Sequence, residues 1–252
     1  MTTISYLEQR DVRLAYRHRA GAGPTIVFLS GYMSDMSGSK AEALDAWAAA
    51  TGRAFLRLDY SGCGMSGGDF EDGTIGRWRD DAQAVIDAAA PGPLLLVGSS
   101  MGGWIALLLA AAMPARVVGL VGIAAAPDFV DWGLWADLTE AERATLMRDG
   151  RLEQPSDYGD QPTVYTRALV EDGRANRVMD APIAYAGPVR LLQGQQDPDV
   201  PWRLPIDIAE RINSSDVQLL LLKDGDHRLS RPQDLALLTA TLDSLLETIC
   251  AT

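Results

Sequence analysis

Short apolar runs alternate with amphipathic stretches along most of this chain, and the alternation predicts its elements. Thr25-Ile26-Val27-Phe28-Leu29, Arg53 to Asp59, Leu94-Leu95-Leu96-Val97 and Val117 to Ile123 are runs of the kind that strands buried on both faces carry. Between them, Lys40 to Ala50, Trp78 to Ala90 and Met101 to Ala112 have helical composition or spacing. The pattern resumes at Val189 to Leu192, a helix near Leu204 to Ile212, a strand at Val217 to Leu222 and a closing helix from about Gln233 to Ile249. Ile4 to Leu7 and Arg13 to Tyr16, with Gln9-Arg10-Asp11 turning between them, read as an opening hairpin. Strand, helix, strand, helix predicts the α/β class, with a doubly wound, mostly parallel sheet flanked by helices.

The rhythm breaks once. From Asp128 to about Ala186 tryptophans, charges and helical pieces replace buried strands, and Thr139 and Glu142 stand at capping-box spacing. We expect a core built from residues 1–127 and 187–252, with residues 128–186 inserted as a helical cap or lid. Long insertions between sheet strands are usually lids or binding elements.

The chemistry sits where the third run ends, in Val97-Gly98-Ser99-Ser100-Met101-Gly102-Gly103-Trp104. This is an apolar strand, then G-x-S-x-G, then an apolar helix. A sharp strand-to-helix turn strains its middle residue and demands small neighbours two positions away on each side. Gly98 and Gly102 meet that demand, and Ser99 reads as structural. Ser100 is then lifted to the N-terminus of a helix, where the dipole and unbonded N–H groups favour developing negative charge. The N–H of Met101 is one expected oxyanion donor. The N–H of Tyr32, in Ser30-Gly31-Tyr32 after the first buried strand, is the other.

A serine needs a base, and the chain has two histidines. His18 reads as a solvated strand-end residue in Arg17-His18-Arg19. His227 follows the last predicted strand, at the same sheet edge as Ser100, and is the expected base. Asp197 follows the strand before it and is the preferred acid. Asp128 is the alternative, followed by Asp199, Asp224 and Asp226. The apolar residues Trp132, Leu134, Trp135 and Tyr165 would either line an acyl pocket or form the insertion's own small core.

Composition narrows the field. Lys plus Arg number 22 against 34 Asp plus Glu, a net charge of −12. That disfavours nucleic acid, which is bound through cations. Two histidines and two cysteines, with no CxxC or HxxxH, exclude a multi-Cys/His zinc cage and a disulfide framework. Cys63 and Cys250 read as free thiols of an intracellular protein. Met1 to Tyr16 has no apolar signal region. Pro114 and Arg116 break the stretch Gly102 to Ala126 into halves too short to span a bilayer. A cytoplasmic protein without metal or organic cofactor is the expectation.

Together these residues resemble the α/β-hydrolase superfamily over nearly the whole chain. Asp59-Tyr60-Ser61-Gly62-Cys63-Gly64-Met65-Ser66 is similar to its D-x-x-G-x-G-x-S loop, whose role there is support behind the site. Ser30-Gly31 stands where the family often has His-Gly. Gly31 to Met36, Arg57 to Gly62, Gly76 to Asp81, Gly98 to Trp104, Asp197 to Trp202 and Asp226 to Arg228 resemble a smaller branch. That branch contains palmitoyl-protein thioesterases that also hydrolyse acyl glucuronides, with bacterial relatives, and the Ala-rich composition here suits a bacterial source. The resemblance implies a Ser-Asp-His hydrolase of acyl esters or thioesters, with Ser100, Asp197 and His227 as its triad and a small-molecule or acylated substrate as its partner. Acyl transfer to an acceptor other than water, peptide or C–C bond cleavage, and a non-catalytic ligand-binding role on the same scaffold remain alternatives.

Overall fold

A computed structural model describes residues 2–156 and 161–250. Ten strands and seven α-helices are assigned among them. In chain order they are β1 (Ser5–Gln9), β2 (Val12–Arg19), β3 (Ala22–Leu29), α1 (Ser39–Thr51), β4 (Arg53–Leu58), α2 (Ile75–Ala89), β5 (Leu94–Ser99), α3 (Met101–Ala112) and β6 (Val117–Ile123). They continue with α4 (Glu140–Asp149), β7 (Arg151–Gln154), β8 (Thr163–Thr166), α5 (Arg167–Ala175), β9 (Val189–Gly194), α6 (Leu204–Arg211), β10 (Val217–Leu222) and α7 (Pro232–Cys250).

Eight strands form one sheet in the order β1-β2-β4-β3-β5-β6-β9-β10. The six from β4 to β10 run parallel, and β1 and β2 join antiparallel at one edge. The opening hairpin turns through Arg10 (φ 48°) and Asp11 (φ 62°), opposite Gln9 paired with Val12. Two positive φ values match the twist a two-residue hairpin needs.

The apolar runs work because successive side chains point to opposite faces. Ile26 and Phe28 of β3 pack with Leu95 and Val97 of β5 against Leu44 of α1 and Leu238, Leu242 and Leu245 of α7. Val27, Leu29, Leu94 and Leu96 face the other way, onto Trp78 and Val85 of α2, Trp104 and Ile105 of α3 and Ile208 of α6. This is the expected α/β architecture, with both faces of the sheet covered. Every parallel strand delivers its carboxyl end to the same edge.

The segment between β6 and β9 contains more than helices. Val130–Trp135 forms a π-helical turn, and α4 starts on the predicted capping box of Thr139 and Glu142. β7 and β8 then pair as an antiparallel ribbon that the hydrophobic pattern did not reveal. Its strands have four residues each and alternate between partial and full exposure on β7, so no buried apolar run marks them. Among the described residues, no helix is long and apolar enough to cross a membrane.

Candidate active site

Ser100 links β5 to α3 with φ 54° and ψ −120°, a strained backbone for a residue with a Cβ. Its N–H donates to the Ile123 carbonyl at 2.9 Å, and its own carbonyl accepts from the N–H groups of Gly103 (2.8 Å) and Ala126 (3.1 Å). The surrounding glycines make room. A Cβ on Gly98 would stand 2.2 Å from the Gly102 carbonyl oxygen, and one on Gly102 would stand 2.1 Å from that of Leu29. The demand for small residues on both sides is thus a backbone-to-backbone contact between the end of β3, the end of β5 and the start of α3.

The Ser30-Gly31-Tyr32 loop leaves β3 beside this turn. A Cβ on Gly31 would come 3.3 Å from the Ser100 Cβ. The loop is held from behind. Asp59 Oδ1 accepts from the N–H of Met36 at 2.7 Å, and Arg57 Nη1 donates to the Met36 carbonyl at 2.7 Å. Asp59 Oδ2 accepts from the Met65 N–H at 2.7 Å, so the D-x-x-G-x-G-x-S loop closes on its own first residue. Gly64 must lack a Cβ because it would lie 2.3 Å from Asp59 Oδ2. From α2, Asp81 accepts the N–H of Ser61 and Trp78 Nε1 donates to its carbonyl. Burial pushes the Cys63 thiol in this loop up to about 12, so it is a packing group there.

Asp197 and His227 meet because the loops after β9 and β10 pack backbone to backbone. Gln195 N–H donates to Leu222 O at 2.8 Å and Gln196 N–H to Gly225 O at 2.9 Å, and a Cβ on Gly194 would stand 2.2 Å from Gly225 O. The result is a 2.9 Å hydrogen bond between His227 Nδ1 and Asp197 Oδ2. The same oxygen accepts from Gln193 Nε2 at 2.8 Å, while Oδ1 accepts from the N–H groups of Val200 (2.8 Å) and Asp199 (2.9 Å). Burial alone would raise this carboxyl's pKa; the bond and charge of His227 and the two backbone N–H groups outweigh it and hold it below the usual carboxylate value. Asp199 Oδ2 lies 4.0 Å from His227 Nε2. Asp197, Asp199 and His227 each offer a ligand-type atom within 4.8 Å of the others, with Asp197 Oδ2 already bonded to His227 Nδ1.

Asp128, the alternative acid, is engaged elsewhere. Its two oxygens accept from the N–H groups of Val178 (3.0 Å) and Met179 (2.9 Å), tying down the far end of the inserted segment. His18 lies on β2, paired with Leu56 of β4.

Ser100, Met101, Gly31, Tyr32 and His227 all line one cavity of about 600 Å³. Trp132 and Tyr165 line it too, with Phe129, which the sequence reading passed over. Trp135 lies outside that lining. It packs beside Leu134, Leu138 and Leu146, with the guanidinium groups of Arg143 and Arg174 over its ring. Tyr32 is more than a backbone donor candidate. Its ring stacks on Tyr165 at 5.6 Å and 6°, meets Phe70 and Trp78 in edge-type contacts and Phe129 at a tilt, and its hydroxyl donates to the Val164 carbonyl in β8. Lys40 and Arg228 also line the cavity; no motif marked Lys40, and Arg228 stood only at the end of the Asp226 to Arg228 segment. Their placement follows from α1 and the His227 loop both reaching the carboxyl edge of the sheet.

Comparisons with known proteins agree with this fold. Residues 26–237 match a family model described as the alpha/beta hydrolase family. The mitochondrial palmitoyl-protein thioesterase ABHD10 of Bos taurus is 38% identical over 251 residues, 98% of this chain and 81% of its own. Among solved structures, a protein from Agrobacterium vitis S4 superposes with a TM-score of 0.92 at 45% identity, over 98% of both chains. Mouse ABHD10 superposes with a TM-score of 0.90 at 37% identity, over 98% of this chain and 99% of its own.

Proposed function

Because the chain belongs to the alpha/beta hydrolase family, we propose that it is a serine hydrolase cleaving acyl esters and thioesters through a covalent acyl-enzyme. The observation that carries this reading is the 2.9 Å bond of His227 Nδ1 to Asp197, in the cavity that Ser100 also lines. With Nδ1–H given to the carboxylate, Nε2 is the ring nitrogen left to take a proton.

Ser100 Oγ attacks the acyl carbonyl as His227 Nε2 takes its proton. The oxyanion is received by the N–H groups of Met101 and Tyr32. The carbonyl–sulfur or carbonyl–oxygen bond then breaks, and the departing thiol or alcohol takes its proton from His227. Water, deprotonated by His227, attacks the acyl-enzyme; the bond to Ser100 Oγ breaks, His227 returns the proton to that oxygen, and the carboxylic acid leaves. These steps call for no metal or organic cofactor. Residues 128–186 serve as the cap, and Phe129, Trp132 and Tyr165 form the acyl wall. Long-chain acyl thioesters are the first class to assay, since curated relatives carry the name palmitoyl-protein thioesterase.

A fluorophosphonate probe is expected to label Ser100, and Ser100→Ala is expected to lower p-nitrophenyl ester turnover by about 10³-fold or more. Labelling at another residue, or turnover that survives the substitution, would refute the reading.

A further inference from the structure

Gln193 is a fully buried polar residue in β9, next to the equally buried Leu191 and Leu192. Its side-chain nitrogen faces three acceptors: Asp197 Oδ2 at 2.8 Å, the Gly194 carbonyl at 3.3 Å and the Val200 carbonyl at 3.5 Å. Two carbonyls and an ionised carboxylate cannot donate, so the amide fits only this way round. Its Oε1 is then buried and, among the described residues, accepts no hydrogen bond. A buried acceptor without a donor is unfavourable, and an apolar side chain of the same length would avoid it. What such a side chain could not supply is the N–H on Asp197.

We propose that Gln193 is a positioning residue for Asp197 and His227: from β9 its amide occupies one lone pair of Asp197 Oδ2 and leaves the other aimed at His227 Nδ1. The proposal deepens the serine-hydrolase reading and rests on it. The Asp197 carboxylate is sealed from solvent, so its orientation is set by protein donors. Two of these, the N–H groups of Asp199 and Val200 on Oδ1, lie further along Asp197's own loop and move with it. A third is His227 itself, the group to be held. The fourth, Gln193, comes from the sheet. Its strand pairs with β6, and β6 pairs with β5, which leads into Ser100. The amide therefore ties the carboxylate to the same scaffold that carries the serine.

An aspartate carboxylate turns readily about its last bond. Donors on both oxygens fix its plane, and a carboxylate oxygen with one lone pair already taken offers Nδ1–H a single direction of approach. A fixed Nδ1 bond fixes the ring and its tautomer, which keeps Nε2 available for the serine proton.

The test is a double-mutant cycle on p-nitrophenyl ester turnover. Gln193→Met keeps the length of the side chain and removes its donor. In the wild-type background it is expected to lower kcat about tenfold with KM within about twofold. In an Asp197→Ala background, where the acceptor is gone, the same substitution should change kcat by less than about twofold. A kcat near wild type in Gln193→Met overturns the proposal. So does an equal loss in both backgrounds, which would mark a packing role only. A measurement on wild type covers a variant that fails to fold. In the 15N–1H spectrum, one side-chain amide proton of Gln193 should lie downfield of those of the other glutamines, as a hydrogen bond to a carboxylate demands, and Asp197→Ala should bring it back among them. An ordinary position in wild type overturns the proposal. Failure of the underlying reading looks different: wild type turns over no ester and Ser100 is not labelled by the fluorophosphonate, whereas failure of the Gln193 assignment leaves both intact.

Discussion

At the scale of single residues, Asp197 has the most exposed set of consequences. Four hydrogen bonds converge on its carboxylate. Asp197→Asn keeps the shape but not the charge, and it presents an amide to the imidazole in the wrong sense. We expect turnover to fall by about three to four orders of magnitude. Near-normal kcat in the variant would return the acid's role to Asp128. A second readout follows from linkage. The folded-state carboxyl titrates below its unfolded value, so its stabilisation is present above the unfolded value and is lost as pH falls through the folded one. The stability gap between wild type and Asp197→Asn, read by urea unfolding, should therefore narrow between about pH 6 and about pH 3. A gap that widens on acidification would contradict the sign. Chain position favoured Asp197 over Asp128. What separates them is contact: one bonds His227 and the other bonds Val178 and Met179.

At the scale of elements, the strand-to-helix turn is where sequence and structure coincide best. An apolar run, two glycines flanking a serine and an apolar helix are local features, and each is dictated by backbone sterics within a few residues. Gly102→Ala would place a methyl 2.1 Å from the Leu29 carbonyl oxygen. That contact is between main chains, so no side chain can swing aside. We expect a loss of about 3 kcal/mol or more, or failure to fold. Gly92→Ala, with nothing within 4 Å of the new methyl, should stay within about 0.5 kcal/mol of wild type. Equal urea midpoints for the two variants would show that the close approach does not govern the turn. The ribbon of β7 and β8 is the opposite case. Short strands with alternating exposure leave almost no hydrophobic signature, and the pairing exists only because two segments of the insertion meet.

The whole molecule couples its parts through Tyr32. The residue follows β3, belongs to the loop beside Ser100, and reaches into the insertion through the Val164 carbonyl and the Tyr165 ring. Tyr32→Phe removes the hydroxyl and leaves the stacked ring. If the insertion holds the oxyanion loop in place, kcat should fall about three- to tenfold with KM within about twofold. Affinity for a trifluoromethyl ketone, which forms the oxyanion, should fall alongside kcat, while product acid binds as before. A change confined to KM would place the hydroxyl in substrate binding only.

The sequence by itself determined the α/β architecture, the glycine-flanked strand-to-helix turn at Ser100 and the chain order of Ser100, Asp197 and His227. Those are set by two-residue and 3.6-residue periodicities and by glycines whose missing Cβ atoms are local necessities. Tertiary structure alone decided which acid meets His227, that Trp135 packs away from the cavity while Phe129 lines it, and that Lys40 and Arg228 line the same cavity as Ser100. Each of those depends on how elements far apart in the chain pack at one sheet edge. A side chain's surroundings there are set by neighbours that no local pattern names.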